Sequence, residues 1–142
     1  MKQGFVKVAS ATPRIRVADP VYNAQVICEQ AKEAAEHGAK IVVFPELCIT
    51  GYTCNDLFLQ ELLLEKAKEA LLTIAEETGQ LETLFLVGLP VDKDGRLYNV
   101  AAVLYRGRIL GMIPKKNIPM YAEFYEGRHF TPGEETVTEY RL

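Results

Sequence analysis

No apolar run in the 142-residue sequence approaches the roughly 20 residues that a membrane-crossing helix needs; runs such as Ile41 to Phe44 and Leu84 to Leu89 stop far short. The opening Met1-Lys2-Gln3-Gly4-Phe5 lacks the apolar stretch and small-residue cleavage site of a signal peptide, so a cytoplasmic location is expected by default. Charge of one sign is also missing. Lys and Arg against Asp and Glu give 16 − 19 = −3, and Lys115-Lys116 is the only basic pair of note, which excludes a nucleic-acid footprint. Neither G-x-G-x-x-G nor G-x-x-x-x-G-K-[ST] occurs, so no nucleotide cradle is expected in this stretch. The two histidines, His37 and His129, stand far apart without metal-ligand company, and no metal is expected. Three cysteines, Cys28, Cys48 and Cys54, are too few and too unevenly placed for a disulfide framework, and suit a reducing compartment.

What is present is a chain able to fold. Hydrophobic residues at 49% and charged residues at 25% exclude disorder and a coiled coil. No repeat, low-complexity segment or linker divides residues 1–142, so one unit is expected. Phe5 to Ala11 reads as a largely buried strand. Asp19-Pro20 starts a helix whose inner face carries Val21, Ala24, Cys28, Ala31 and Ala35, with Gly38 at its end. Lys40 to Phe44 is a β-branched strand stopped by Pro45. Asn55 or Asp56 caps a second helix with Leu63, Ala67, Ala70, Leu71 and Ile74 inside. Three extended segments follow, Leu84 to Val91, Leu97 to Tyr105 and Arg108 to Ile113, joined by turns at Asp94-Gly95 and Arg106-Gly107. The fold class is α/β.

Glu46 stands out because it follows Phe44-Pro45 at the carboxyl end of a strand, where α/β folds place working groups on loops. Against Phe44, Leu47 and Ile49 its carboxylate would be partly desolvated, which suits a general base; a solvated glutamate at a strand end would show the same position. Lys115, just past another strand and Pro114, is placed to stabilise a developing oxyanion, though Lys116 beside it shows how common such lysines are. Tyr52, Tyr121 and Tyr125 either line a small polar pocket or pack with their hydroxyls at the surface.

Longer strings add more. Phe44-Pro45-Glu46-Leu47-Cys48-Ile49-Thr50-Gly51-Tyr52 resembles the glutamate motif of the nitrilase (carbon-nitrogen hydrolase) superfamily, and Pro114-Lys115-Lys116-Asn117-Ile118-Pro119 resembles its lysine motif. Gly51 to Phe58 and Tyr121 to Glu126 are similar to the N-terminal glutaminase domain of bacterial glutamine-dependent NAD synthetases, and the likeness runs through to Gly133. The resemblance implies a Glu-Lys-Cys triad. In it Glu46 matches the general base and Lys115, rather than Lys116, the lysine that stabilises the tetrahedral intermediate. Tyr52 and Tyr121 match positions lining the glutamine pocket, and Glu123 matches a second, supporting glutamate. It also implies a four-layer α-β-β-α sandwich, of which this chain would be the N-terminal half.

The third triad member is not in the sequence. The family's nucleophilic cysteine follows the lysine by several tens of residues, whereas only 27 residues follow Lys115 and none is Cys. Cys28, Cys48 and Cys54 precede it and look like core thiols. The expectation is therefore the glutaminase portion of an enzyme that supplies ammonia to a synthetase domain of the same polypeptide, inactive in isolation. That absent domain would use ATP and Mg2+ to amidate nicotinic acid adenine dinucleotide; the glutaminase half itself needs no cofactor. The resemblance also implies a homo-oligomer, with glutamine as substrate. Two other readings stay open: a stand-alone nitrilase-superfamily amidase, and a non-catalytic half-domain that self-associates through an apolar sheet face.

Overall fold

A computed structural model describes residues 4–142. Five strands form one mixed sheet in the order β1 (Val8–Ser10), β2 (Ile41–Val43), β3 (Leu84–Lys93), β4 (Arg96–Tyr105) and β5 (Arg108–Pro114). The first three are mutually parallel, linked by helices α1 (Pro20–Glu36) and α2 (Glu61–Glu77), and β3, β4 and β5 are antiparallel neighbours. Sequential parallel strands joined by helices put both helices on one face, and α1 and α2 indeed pack together there.

Local chemistry accounts for the element ends. Asp19 caps α1 by accepting from Tyr22 N at 3.1 Å, Pro20 occupies the first turn, and Gly38 at φ +81° closes it. The two antiparallel hairpins turn on Asp94-Gly95 and Arg106-Gly107, all four with positive φ, the signature of tight turns that match strand twist. Lys93 therefore pairs with Arg96 and Tyr105 with Arg108.

The main core lies between the helices and one face of the sheet. Ala24, Ile27, Cys28 and Ala31 of α1 and Ala67, Leu71 and Ile74 of α2 meet Val42, Phe85, Val87, Leu89, Val100, Ala102 and Leu104. A smaller cluster of Leu47, Cys54, Phe58, Leu63, Leu97 and Phe130 sits at the edge where the loops gather. The rest of the opposite sheet face is open: Val8, Val43 and Ile113 are exposed along it.

Three expectations from the sequence are corrected. The first strand is only Val8–Ser10, and Phe5, Val6 and Val8 are exposed, because this edge strand has one neighbour and no layer over its outer face. Val21 lies outside the buried stripe of α1, which instead includes Asn23. The second helix begins at Glu61, not at Asn55 or Asp56; residues Asn55–Leu59 form a separate 3₁₀ turn, entered with Asn55 at φ +50°. Among the described residues no helix is long and apolar enough to cross a membrane.

Candidate active site

Strand direction brings the chemistry to one edge. Strands β2, β3 and β5 point their carboxyl ends the same way, and antiparallel β4 begins there. The segment after β2 turns sharply. Leu47 takes φ +53°, Gly51 N donates to Leu47 O at 2.7 Å, and Ile49 N donates to Gly88 O at 3.1 Å, so the turn carrying Glu46 rests directly on β3. Gly88 makes that approach possible: a Cβ there would lie 2.4 Å from Leu47 N and 2.9 Å from Pro45 O. The fully buried Asn23 secures the other end of the turn, donating from Nδ2 to Ile49 O at 2.9 Å and to Arg16 O at 2.7 Å while its Oδ1 accepts from Arg16 N.

Lys115 follows β5 and is held by its backbone on both sides. Its N–H donates to Asn99 O at 2.7 Å, and its carbonyl accepts from Gly133 N at 2.9 Å. The Nζ donates to Glu46 Oε1 at 2.7 Å and to both oxygens of Glu126, at 2.9 and 3.0 Å. Tyr52 Oη donates to Glu126 Oε1 at 2.6 Å, and Asn99 Nδ2 donates to Glu46 Oε1. The result is one ammonium between two carboxylates, steadied by a phenol and an amide.

Burial differs sharply among these groups. The Glu126 side chain is 6% exposed, Lys115 29% and Glu46 40%, so Glu126 is the structural anchor and Glu46 the accessible carboxylate. The apolar surround expected for Glu46 is not there: Phe44, Leu47 and Ile49 turn into the cores, and the carboxylate faces a cation and an amide instead. Burial opposes the Lys115 ammonium, but its hydrogen bonds to Glu46 and Glu126 outweigh this and raise its pKa above the usual lysine value. The Tyr52 hydroxyl is pushed up from its ordinary range by desolvation, then by its bond to Glu126 and the nearby carboxylates. Lys115 stays charged and Tyr52 stays a donor at neutral pH.

The remaining predicted residues lie outside this network. Glu123 is exposed, and it is Glu126, three residues on, that bridges Lys115 and Tyr52. Tyr121 and Tyr125 are 68% and 67% exposed. Lys116 pairs with Glu135 on the surface. Glu126 and Asn99 were not singled out from the sequence. Asn99 carried a signal, since asparagine is depleted within strands and this one interrupts the apolar row Leu97, Ala101, Val103. Glu126 carried none, because it lies in an irregular charged and aromatic stretch.

A clasp fixes the Glu126 segment. Arg128 donates from both Nε and a terminal nitrogen to Asp56, each at 3.0 Å, and His129 Nε2 lies 3.0 Å from Asp56 Oδ1. Phe130 anchors beneath them against Phe58. The other histidine, His37, meets Glu33 O at the end of α1. All three cysteines are buried. Burial raises the Cys28 and Cys48 thiols to about 11 and pushes Cys54 up as well, so none offers a thiolate at neutral pH. Among the described residues no group of three or more His, Cys, Asp or Glu is placed to hold a metal ion.

Known proteins resemble the chain along nearly its whole length. The chain is 40% identical over 133 residues to the glutamine-dependent NAD(+) synthetase of Mycobacterium tuberculosis, covering 94% of this chain and 20% of that protein. The crystal structure of a glutamine-dependent NAD(+) synthetase from Cytophaga hutchinsonii superposes with a TM-score of 0.89 at 30% identity, over 96% of this chain and 23% of that one. An amidase from Nesterenkonia sp. superposes with a TM-score of 0.74 at 25% identity, over 92% of this chain and 49% of its own. The chain thus spans a fifth to a quarter of the synthetases and about half of the amidase. The carbon-nitrogen hydrolase profile matches residues 7–142, and the chain belongs to the carbon-nitrogen hydrolase family.

Proposed function

We propose that this chain is the base-and-lysine portion of a glutamine amidohydrolase in a glutamine-dependent NAD synthetase. The observation that carries the proposal is the 2.7 Å pairing of Glu46 with Lys115, made by two segments 69 residues apart in sequence. The likeness to synthetases along 94% of the chain supports glutamine as the amide.

In this reading a cysteine thiol from a segment outside this chain attacks the side-chain amide carbon of glutamine. Glu46 takes the thiol proton and returns it to the departing ammonia, then takes a proton from the water that cleaves the thioester. Lys115 stabilises the oxyanion at each tetrahedral stage. An ammonium has three protons, and here Glu46 and the two oxygens of Glu126 engage it. Loosening one Glu126 contact frees an N–H for the oxyanion while the second keeps the charge in place. Tyr52 holds Glu126 during the exchange, and the exposed Tyr121 is assigned to the glutamine pocket by the family resemblance of its segment. Glu123 contributes charge near Tyr52 rather than a contact to Lys115.

The sequence has no glycine-rich phosphate cradle and no group among the described residues is placed to hold a metal ion, so in this reading ATP and Mg2+ belong to a separate synthetase domain. The open face bearing Val8, Val43 and Ile113 is the one that the second sheet of the sandwich covers, and the chain by itself is catalytically inactive. Expression of the intact coding sequence with assay of glutamine-dependent NAD formation tests the proposal. Ammonia release from another amide, with none from glutamine, would sink it in favour of the stand-alone amidase that the Nesterenkonia likeness favours.

A further inference from the structure

Asn99 is 3% exposed and is the fourth residue of β4, paired across with Pro90 of β3. A buried side-chain amide costs free energy unless it is hydrogen-bonded, and here the partner of its Nδ2 is the site itself. Its Nδ2 donates to Glu46 Oε1, the same oxygen that accepts from Lys115 Nζ at 2.7 Å. Its backbone carbonyl accepts from Lys115 N at 2.7 Å. One residue on a rigid strand therefore holds the carboxylate through its side chain and the lysine through its main chain. With both donors on Oε1, Glu46 Oε2 makes no hydrogen bond among the described residues.

We propose that Asn99 is a positioning residue that divides the labour between the two oxygens of Glu46. Oε1 is pinned, and Oε2 is the oxygen that takes the thiol proton, returns it to ammonia and later deprotonates water; this rests on the functional reading above. The amide is suited to this because it donates without carrying charge. A cation in its place would compete with Lys115, and an acid would repel Glu46.

The test uses the intact enzyme with Asn99→Asp and Asn99→Ala. Asp is nearly isosteric, yet when ionised it cannot donate, and it sets a like charge beside Glu46, which raises a carboxyl pKa. The expected result for Asn99→Asp is a kcat lowered on the order of 10- to 100-fold with KM for glutamine changed less than about threefold, as for a misoriented catalytic group. The acid limb of its pH profile should also move upward. Wild-type kcat and an unmoved acid limb in Asn99→Asp would overturn the proposal, whether or not Asn99→Ala folds. A second readout needs no turnover: in the 142-residue protein carrying 15N-asparagine, the Asn99 side-chain amide should shift with pH, and Glu46→Gln should abolish that titration. An amide resonance indifferent to Glu46→Gln overturns the positioning role. Should the intact enzyme release no ammonia from glutamine, the functional reading falls, and the amide resonance still decides whether Asn99 holds Glu46.

Discussion

Gly88→Ala is a sharp perturbation because the added methyl would meet backbone rather than a yielding side chain. Its Cβ would lie 2.4 Å from Leu47 N, 2.9 Å from Pro45 O and 3.0 Å from Glu46 C. Ordinary contact begins near 3.4 Å, so the shortfall at Leu47 is 3.4 − 2.4 = 1.0 Å. Strand β3 cannot sink to relieve it, since Val87 and Leu89 on its other face are fully buried against the helices. The Glu46 turn must lift instead, stretching the 3.1 Å bond from Ile49 N to Gly88 O. Overpacking of this kind costs about 1–3 kcal/mol and the weakened hydrogen bond about 1 more. Against that, Ala in place of Gly returns about 0.4–1 kcal/mol by restricting the unfolded chain. The sum favours destabilisation by about 1–3.5 kcal/mol, a fall of roughly 0.5–2 M in a urea midpoint for a slope of about 2 kcal/mol per M. If Glu46 is the base proposed above, moving its carboxylate by about 1 Å costs on the order of 100-fold in turnover, and the intact enzyme should lose glutaminase activity beyond what the stability loss explains. Gly111→Ala is the control: nothing lies within 4 Å of a Cβ there, and the same entropic gain should leave the midpoint unchanged or slightly raised. A Gly88→Ala protein with wild-type midpoint and wild-type turnover would refute the claim that this glycine sets the height of the Glu46 turn.

Glu46→Gln should lower kcat of the intact enzyme by 10²–10⁴-fold while changing stability by less than about 1 kcal/mol, because the carboxylate is 40% exposed and Glu126 still partners Lys115. Steady-state kinetics and urea titration on the same variant separate the two. The Asp56 carboxyl is held below its usual range by its bond to His129, then by Arg128. A depressed folded-state pKa gives stability that is present above the unfolded value near 3.8 and lost as pH falls through the lower folded value. Protection of the His129 and Phe130 amides against hydrogen exchange should therefore drop in that acid window, and Asp56→Asn should remove the dependence. Native protein at pH 8 should react with a thiol reagent at none of its three cysteines within the time that urea-unfolded protein reacts at all three, given thiols at about 11 for Cys28 and Cys48. Rapid labelling of native Cys48 would contradict its burial.

How far the sequence could be read depended on whether a feature was local. Helix α1 was legible because Asp19, Pro20, the apolar spacing and Gly38 act within one segment, and the two hairpins were legible because Asp94-Gly95 and Arg106-Gly107 dictate their own geometry. The start of α2 was not: Asn55 looked like a cap, but its positive φ opens a 3₁₀ turn that is held by Phe58 packing against Phe130, 72 residues away. Glu46 and Lys115 could be named from their motifs, yet the environment of Glu46 could not. Whether Phe44, Leu47 and Ile49 wall the carboxylate or turn from it is decided by the turn lying over Gly88. For the same reason Glu123 and Glu126 were indistinguishable as letters. The clasp of Arg128 and His129 on Asp56, a contact across more than 70 residues, accompanies the orientation that buries Glu126 under Lys115.

The strand directions explain why so few residues can build this site. Loops leaving β2 and β5 emerge at one edge because those strands run the same way, and β4, running against them, presents its first residues at that edge. Asn99 alternates with Val100, so its side chain faces away from the helices while Val100 enters the main core. Glu46, reached by the Asn99 amide, is therefore on the face that Val8, Val43 and Ile113 leave open, not on the face the helices seal. On the proposed function, that open side is the one from which a substrate and a nucleophile would meet Glu46. A layer that covers this apolar face would then also carry the attacking thiol to Glu46 and Lys115, because both lie on the side that it closes.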